Sequence, residues 1–595
     1  MPIEIINNNG TKYIRIVENK YVNIDGKPSC RKNVILNVGP LSRFDDGKPN
    51  YESRLKESFK NGNPIIPSLQ EYVNRKPVRE TYPISFKEGD PDCIGHNKLF
   101  SNALIERIME EIGLTSFVSR YKAFTNYEFN LLGFIRLLIY GRILNPASKI
   151  ATMSQNNNYY SDIIKDIYEY NVYDTLDFLY NYRTNLTNWI NKKLITNFNR
   201  TTNIIYYDVT NFFFEIDNPD DDVDSVRKMG VSKEHRKQPI VQMGLFMDEQ
   251  GIPISIETFP GNTLDHLTMK KALANTVEGL NLERFIFVGD RGIYKGDNAY
   301  YLTNKNYGYV ISKSLEKTSK EEKAWAFNQN DYTIVSKDFK YKSRIIKRKV
   351  KVGDEYKDIT EKVVVYFSKK FYDKQLHENK SFLEFVDKLE KSPENFRITK
   401  TQSGSIRRFL KPELFNNKTG EILNSKDLKA FIDFDKINKY KESFGYYQIV
   451  TSELDMPDQQ VIDIYHGLSQ IEDQFRVMKG DLETRPIYVR TNEHIHSHLL
   501  ICLLSLIILR IIQNKIKSKQ EVNKDKSWEM GLSGSRIQTA LNKWTIAEIT
   551  NGYYRFNDID NKDLRTILDA FDIKIENKLY KKMELLNIKT SIKVR

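Results

Sequence analysis

The spacing of hydrophobic and polar residues changes several times along the 595-residue chain. From residue 1 to about 95, apolar and polar positions alternate, as in KYIRIVENKYVNI at 12–24, and the turn-forming DGKP follows at 25–28. This pattern predicts a β-hairpin in a small β module. From about 96 to 200, apolar residues recur every three or four positions, as in 102–121 and 130–144, which predicts a helical domain.

After residue 200 the pattern predicts an α/β core. Four strand signals occur at 203–215, 239–251, 252–259 and 284–292, and a helical pattern at 267–280 separates the third from the fourth. We assign 201–310 to the first part of this core. Short, charged, β-leaning segments then fill 311–454, and we expect a mainly β insertion there.

The second part of the core is assigned to 455–520. One long helix is predicted from Asp458 to Lys479, with Pro457 before it and Gly480 after it. The most apolar run, Leu499 to Ile512, is shorter than the roughly 20 residues that a membrane span needs. It also carries Arg510, so we interpret it as a buried core helix. Residues 521–595 are expected to be helical, with dimerisation as a possible role.

Composition narrows the class of protein. Lys and Arg number 91 against 78 Asp and Glu, a formal net charge of +13, which favours a polyanionic partner such as nucleic acid. A soluble protein from a Lys-rich proteome would show the same excess. The three cysteines, the lack of a secretory pattern at the N-terminus and the lack of a membrane span lead us to expect a cytoplasmic protein.

Two acidic residues stand at the ends of predicted strands. Asp208 interrupts the aromatic and β-branched run YYDVTNFFFE, on the same face as Tyr206 and opposite Tyr207. A buried carboxylate without a partner is costly. Asp290 ends the strand FIFVGD, so two neighbouring parallel strands would allow both carboxylates to share a divalent cation. Taken alone, these two residues favour the alternative, in which two unrelated strand-end aspartates cap loops.

The predicted helix from Asp458 to Lys479 carries two stripes. Tyr465, Glu472 and Lys479 recur every seven residues, so they share one face, and Arg476 lies on the same stripe. The adjacent stripe is apolar and has the spacing of a face packed on a sheet; it comprises Leu468, Ile471, Phe475, Met478 and Leu482.

With these residues the sequence resembles the DDE transposases of bacterial insertion elements, in the branch with a Tyr-Arg-Glu-Lys box. Tyr465, Glu472 and Lys479 match the box spacing, whereas Leu468 occupies its arginine position. We take Arg476 as the substitute for that arginine. The segments YYDVTNFFFE, 230–266, VGDRG at 288–292 and FGYYQIVTSE at 444–453 also resemble this group.

The resemblance implies an RNase H-like mixed-sheet core interrupted by a mainly β insertion, within a multidomain α/β protein. The 182 positions between Asp290 and Glu472 leave room for such an insertion. The implied activity is DNA strand cleavage and strand transfer with two Mg²⁺ ions, for which Mn²⁺ would substitute. Asp208 would bridge both ions, and Asp290 and Glu472 would each complete one site.

The implied partner is double-stranded DNA, namely the terminal inverted repeats of the element and the target, held by a homodimer. The helical domain at 96–200 would bind the DNA ends, although a packing domain without a ligand fits the same pattern. Lys479 and Arg476 would bind phosphates, Tyr465 would contact the DNA end, and Arg291 lies in a turn beside the site.

A basic cluster at 337–351 is a further DNA-contact prediction within the insertion. A solvated β-edge guarded by lysines is the alternative. The predicted contacts are Lys340, Lys342, Arg344, Lys347, Arg348 and Lys349.

His494 and His498 in HIHSH are one helical turn apart, but no third zinc ligand is evident, so we interpret HIHSH as a polar helix start. Two other classes of protein remain open: a non-catalytic DNA-binding relic of a transposase, and another RNase H-like nuclease such as a junction resolvase.

Overall fold

The computed structural model describes residues 3–8, 10–24, 27–73, 96–160, 163–215, 224–234, 237–280, 282, 284–391, 409, 433–522, 531–549, 552–576 and 578–595. The chain divides into two compact units, Met1–Asp90 and Pro91–Arg595.

The first unit contains a three-stranded antiparallel sheet. Its strands are β1 (Ile3–Asn8), β2 (Thr11–Ile24) and β3 (Lys27–Pro40), in that order. The pairing of β2 with β3 confirms the predicted hairpin. Asp25 and Gly26 of its turn lie outside the described residues. Two helices follow, α1 (Tyr51–Lys60) and α2 (Gln70–Val73), and apolar side chains of α1 pack against β1 and β2.

The second unit opens with the short strand β4 (Lys98–Leu99) and then a helical region. The helical character predicted for about 96–200 is confirmed, and the helices bury apolar side chains in a common core. They are α3 (Asn102–Glu111), α4 (Leu114–Lys122), α5 (Leu131–Leu144), α6 (Lys149–Met153), α7 (Glu169–Asn181) and α8 (Arg183–Phe198).

A mixed nine-stranded sheet forms the centre of the second unit. Four strands and one helix follow the predicted order: β5 (Ile204–Phe213), β6 (Ile240–Asp248), β7 (Pro253–Pro260), α9 (Asp265–Leu280) and β8 (Ile286–Gly289). Helix α10 (Gly296–Asn304) and strand β9 (Gly308–Lys313), which the pattern did not predict, come next. β5 is antiparallel to β6 and parallel to β8, and β8 is parallel to β9.

Strands from the predicted insertion extend the same sheet. The elements here are α11 (Lys320–Phe327), β10 (Thr333–Ser336), β11 (Phe339–Val352), β12 (Glu355–Ser368), α12 (Lys369–Glu378), α13 (Lys380–Lys391), α14 (Phe434–Glu442) and β13 (Tyr446–Thr451). The full order is β10-β11-β12-β13-β9-β8-β5-β6-β7. Since β13 pairs with both β12 and β9, the sheet continues from the predicted core into the predicted insertion.

The helix predicted from Asp458 to Lys479 is two helices, so the prediction of a single helix is wrong. α15 spans Asp458–His466 and α16 spans Ser469–Lys479. Between them the backbone bonds tighten to the 3₁₀ pattern, with the amide of Leu468 donating to Tyr465 O at 3.0 Å. Gly467 lies so close to Tyr206 that a Cβ atom there would be 2.1 Å from the Tyr206 hydroxyl oxygen.

Helix α17 (Asn492–Val522) contains the apolar run Leu499 to Ile512 and is long and apolar enough to cross a membrane. The most apolar part of α17 is buried inside the protein, as the sequence predicted for a core helix.

The region after 521 is helical only in part, which corrects the prediction. It contains α18 (Gly534–Leu541), β14 (Thr545–Ile549), β15 (Tyr553–Phe556), α19 (Lys562–Ala570), β16 (Tyr580–Lys581) and α20 (Lys582–Ser591). The strands form a four-stranded sheet in the order β16-β15-β14-β4. Their alternating apolar and aromatic residues favour strands.

Candidate active site

Three polar side chains form a row across the parallel strands of the central sheet. Tyr207 is paired with Gly289, and Gly289 is paired with Ile311. The residues that follow these three in the sequence are Asp208, Asp290 and Ser312, so they also lie side by side. The Ser312 hydroxyl donates a hydrogen bond to Asp290 Oδ1 at 2.9 Å.

The row faces helices α15 and α16. Tyr206, two residues before Asp208, packs in the core that contains the apolar residues of these helices, whereas Tyr207 and Val209 pack in the core on the other side of the sheet. Side chains alternate along a strand, so Asp208 faces the helix side. The sequence predicted this division of the strand correctly.

Burial and neighbouring charges raise the pKa of Asp208 to about 6. Burial is the main cause, and the negative charges of Asp290 and Asp265 add to it. The positive charge of Lys233 and a hydrogen bond from the Val209 amide, at 2.7 Å, act in the opposite direction.

Sequence reasoning missed Asp265 and Lys233. Asp265 is the first residue of α9, and its pKa is raised by burial and by the charge of Asp290. The Lys233 ammonium donates to the backbone oxygen of Val209 at 2.6 Å. Both residues lie in the segment 230–266, which carried part of the resemblance, but strand and helix patterns give no sign of their position.

Tyr465 of α15 reaches the row directly. Its hydroxyl donates to Asp290 Oδ1 at 3.4 Å. Burial and the Asp290 charge raise the pKa of Tyr465, so it stays a neutral donor. The structure thus connects the first residue of the predicted box with Asp290.

Helix α16 runs along β5 in the direction of the strand. Its preceding glycine, Gly467, contacts Tyr206, and the Lys479 ammonium lies 5.8 Å from the ring centre of Phe212. The helix rises about 18 Å from Gly467 to Lys479, which matches the roughly 20 Å from Tyr206 to Phe212 along the strand. Glu472, which is exposed, therefore lies at about the level of Asp208.

Tyr447 of β13 is close to both halves of the site. Burial raises its pKa, the charge of Arg291 lowers it, and the charges of Asp290 and Glu472 raise it. Arg291 is exposed, in the turn after Asp290, as the sequence predicted.

Lys479 is paired within the protein. Its ammonium is 2.8 Å from Glu234 Oε1, and Arg485 Nη1 is 2.6 Å from the same oxygen. Burial alone would raise the pKa of Glu234, but the hydrogen bonds and charges of Lys479 and Arg485 lower it overall. A phosphate that binds Lys479 must therefore replace Glu234, a residue that the sequence did not indicate.

Leu468, at the arginine position of the box, and Arg476, taken as the substitute for that arginine, lie in different environments. Leu468 is buried in the core with the rest of the predicted apolar stripe, which explains why an arginine does not occupy this position. Arg476 is exposed and forms an ion pair with Asp473 of the same helix.

The basic cluster of β11 does not form one surface. Lys342 is buried and donates to the backbone oxygens of Trp325 and Asn328, Arg344 stacks over the Trp325 ring, and Arg348 pairs with buried Glu361 at 2.7 Å. Lys340 packs over two aromatic rings. Lys347 and Lys349 are exposed on the opposite face. A single DNA track across all six predicted residues is therefore wrong.

The three histidines of HIHSH have separate partners. His494 is 3.0 Å from Asp177, His496 is 3.2 Å from Thr258, and His498 contacts Lys149 and Thr484. They lie in the first turns of α17, which confirms the interpretation as a polar helix start.

Carboxylate oxygens at this site suit a hard divalent cation. Asp208 and Asp290 are already arranged in one row, and a cation would relieve the like-charge repulsion that raises the pKa of Asp208. Across the described part of the chain, no three His, Cys, Asp or Glu side chains are grouped closely enough to hold a metal ion. The three-carboxylate centre therefore stays a prediction, with Glu472 as its most exposed member.

A family model described as transposase DDE domain matches residues 216–508. The match includes Asp290 and Glu472, and Asp208 precedes it by eight residues. No curated protein matches the chain. A solved cryo-EM structure of a piggyBac transposase synaptic complex with hairpin DNA is similar at 9% identity, over 78% of this chain and 86% of that chain, with a TM-score of 0.30. The family match identifies a transposase DDE domain over residues 216–508 of this chain.

Proposed function

We propose that the chain is an insertion-sequence transposase that binds the terminal inverted repeats of its element and catalyses DNA cleavage and strand transfer. The observation that carries this proposal is the alignment of Asp208 with Asp290 on parallel strands β5 and β8, with Glu472 of α16 at the same level. The family match supports the same class of chemistry.

In this proposal Asp208, Asp290 and Glu472 hold two Mg²⁺ ions, for which Mn²⁺ substitutes. Bound ions of this kind activate the attacking oxygen and stabilise the leaving oxygen of a phosphodiester. Ser312 and Tyr465 both donate to Asp290 Oδ1, so they fix the orientation of that carboxylate. Lys233 partly balances the negative charge around Asp208.

Positive side chains near this row would bind the DNA backbone. Lys479 would bind a phosphate beside the cleaved bond after Glu234 is displaced. The exposed side chains of Arg291 and Arg476 would bind further phosphates. Lys347 and Lys349 supply the accessible part of the β11 cluster. We further propose that a homodimer holds two DNA ends, and that the protein acts in the bacterial cytoplasm.

A single-turnover cleavage assay tests this proposal. The substrate is a labelled duplex that carries the inverted repeat found beside the gene, and the reaction is started with Mg²⁺. We expect the Asp208→Ala and Glu472→Ala variants to lose cleavage while they still bind the duplex. Asp338→Ala, which removes an exposed carboxylate between β10 and β11, is the matched control. Cleavage by Asp208→Ala at the wild-type rate would refute the proposal.

The replacement of the box arginine by Leu468 favours one second candidate, a DNA-binding relic without catalysis. The same assay separates the two. A relic binds the inverted repeat but does not nick it at any Mg²⁺ or Mn²⁺ concentration. A resolvase, in contrast, would prefer a four-way junction to the inverted repeat.

A further inference from the structure

A cavity of about 110 Å³ lies where α5 and α6 meet the segment between α16 and α17. Basic groups dominate its wall. The polar residues in the wall are Arg142, Ser148, Lys149, Glu483, Arg485, Tyr488 and His498.

Two of the cations in this wall are almost fully buried. Arg142 is 5% exposed and Lys149 is 7% exposed. Arg142 donates to the backbone oxygens of Leu482, Glu483 and Ala147 at 2.9 to 3.1 Å. Its Nε atom has no hydrogen-bond partner among the described residues. Within the described ranges, neither Arg142 nor Lys149 forms an ion pair with a carboxylate. This is unusual, because buried charges in proteins are normally paired.

The nearest partner of Lys149 is a neutral side chain. Its ammonium nitrogen lies 2.8 Å from His498 Nδ1, while His498 Nε2 donates to Thr484 O at 2.8 Å. Burial, followed by the charges of Lys149 and Arg142, holds the pKa of His498 well below its usual value. His498 therefore accepts a hydrogen bond from Lys149 and carries no compensating charge.

The wall carries an excess of positive charge. Burial and the Arg142 charge lower the pKa of Lys149 to about 7, as expected for an ammonium without an anion. The acidic residue in the wall, Glu483, is exposed to solvent. Arg485 is shared with Glu234, which lies outside the cavity wall. An anion in the cavity would supply the missing counter-charge and would accept from Arg142 and Lys149.

We propose that this cavity binds a phosphate group through Arg142 and Lys149. A water needs roughly 10–15 Å³ of such volume, so the cavity has room for a tetrahedral oxyanion of a few heavy atoms. The phosphate is either a backbone phosphate of bound DNA or free inorganic phosphate. The site goes beyond the proposed function, because phosphate binding here does not require the chain to cut DNA.

Calorimetric titration of the full chain with inorganic phosphate, at constant ionic strength in KCl, tests the site. We expect saturable binding by the wild type. One charge-assisted hydrogen bond is worth roughly ten- to a hundredfold in affinity, so Lys149→Met should weaken binding by about that factor. Lys192→Met, which removes an exposed lysine of α8, is the matched control and should bind as the wild type does.

Lys149→Met removes a buried charge but also the hydrogen bond to His498 Nδ1, so a thermal melt first establishes that the variant is folded. Two results would overturn the proposal: no saturable phosphate binding by the wild type, or equal affinity in Lys149→Met and Lys192→Met. The first result is independent of any variant.

A DNA-binding measurement then identifies the source of the phosphate. If a DNA phosphate enters the cavity, free phosphate at constant ionic strength weakens duplex binding by the wild type but not by Lys149→Met. If the ligand is free phosphate, duplex binding is the same with and without it. These assays measure binding only, so a protein that fails to cleave DNA would still give a clear result.

Discussion

In the proposed function a DNA phosphate replaces Glu234 beside Lys479, so removal of the Glu234 charge should have opposite effects on stability and on DNA affinity. Its Oε1 atom is 2.8 Å from Lys479 and 2.6 Å from Arg485, and all three side chains are at most 24% exposed. In Glu234→Gln the two cations lose their common counter-charge. A hydrogen bond to a charged group contributes about 1.5–3 kcal/mol, so we expect the free energy of unfolding to fall by roughly that amount.

DNA binding should become tighter in the same variant. Two cations are released for phosphates, and each phosphate contact contributes about 0.9 to the slope of log K against log salt concentration. We therefore expect the slope to steepen by about 1 to 2 and the affinity at low salt to rise by about tenfold. Fluorescence anisotropy with a labelled inverted repeat, repeated at several KCl concentrations, measures both quantities.

The control variant for this experiment is Glu321→Gln. It makes the same change in net charge at an exposed position of α11, so it corrects for long-range attraction to DNA. If Glu234→Gln lowers the affinity for DNA, or raises it no more than Glu321→Gln does, then Glu234 does not compete with phosphate and this reasoning is refuted.

Three further predictions concern packing, pH and the β11 cluster. Gly467→Ala would place a Cβ atom 2.1 Å from the Tyr206 hydroxyl, so we expect the free energy of unfolding to fall by about 1–3 kcal/mol and cleavage to slow. Denaturant unfolding and single-turnover kinetics measure these effects, and wild-type values in both would contradict the prediction. Burial and then the charge of Arg183 lower the pKa of His496 from 6.5 to about 3. The contribution of neutral His496 to the free energy of unfolding is therefore fully present above pH 6.5. It falls by up to about 1.4 kcal/mol per pH unit as the pH decreases towards 3. His496→Gln should reduce this fall in a series of thermal melts, and exposed His377→Gln should not. The double variant Lys347→Gln/Lys349→Gln should flatten the salt slope of DNA binding by about 2 without a change in Tm, whereas Lys342→Met should lower Tm and leave the slope unchanged.

The strand and helix pattern of the core was predictable from local sequence. β5 to β8 and α9 have strong periodicity and clear turn residues, and each occurs where the pattern placed it. The predicted position of Asp208 near a strand end is wrong, because Asp208 lies in the middle of β5, whereas Asp290 directly follows β8. The parallel pairing of β5 with β8, which the sequence offered only as a condition for a shared cation, is present.

Other features depend on contacts between distant parts of the chain. The break between α15 and α16 follows from the close approach of Gly467 to Tyr206, which helix periodicity does not reveal. The position of β12 in the central sheet depends on its pairing with β13, more than 70 residues later. The same is true of Glu234, whose partners Lys479 and Arg485 are distant in sequence.

The division of the basic cluster between two faces of β11 was predictable from the alternation of side chains along a strand. Alternation along β11 places Lys342, Arg344 and Arg348 on one face and Lys347 and Lys349 on the other. Counting the charges alone predicted one DNA surface. Counting them by face would have separated the residues that pack against Trp325 and Glu361 from those that face solvent.

The central claim is that Asp208, Asp290 and Glu472 act as one catalytic unit. Single-turnover Mg²⁺-dependent cleavage by each single alanine variant and by the Asp208→Ala/Glu472→Ala double variant tests it most directly. Residues that act as a unit show strongly non-additive losses. The account predicts that the double variant loses no more activity than Asp208→Ala alone, with duplex binding retained. Losses that multiply in the double variant, or an active Glu472→Ala variant, would contradict it.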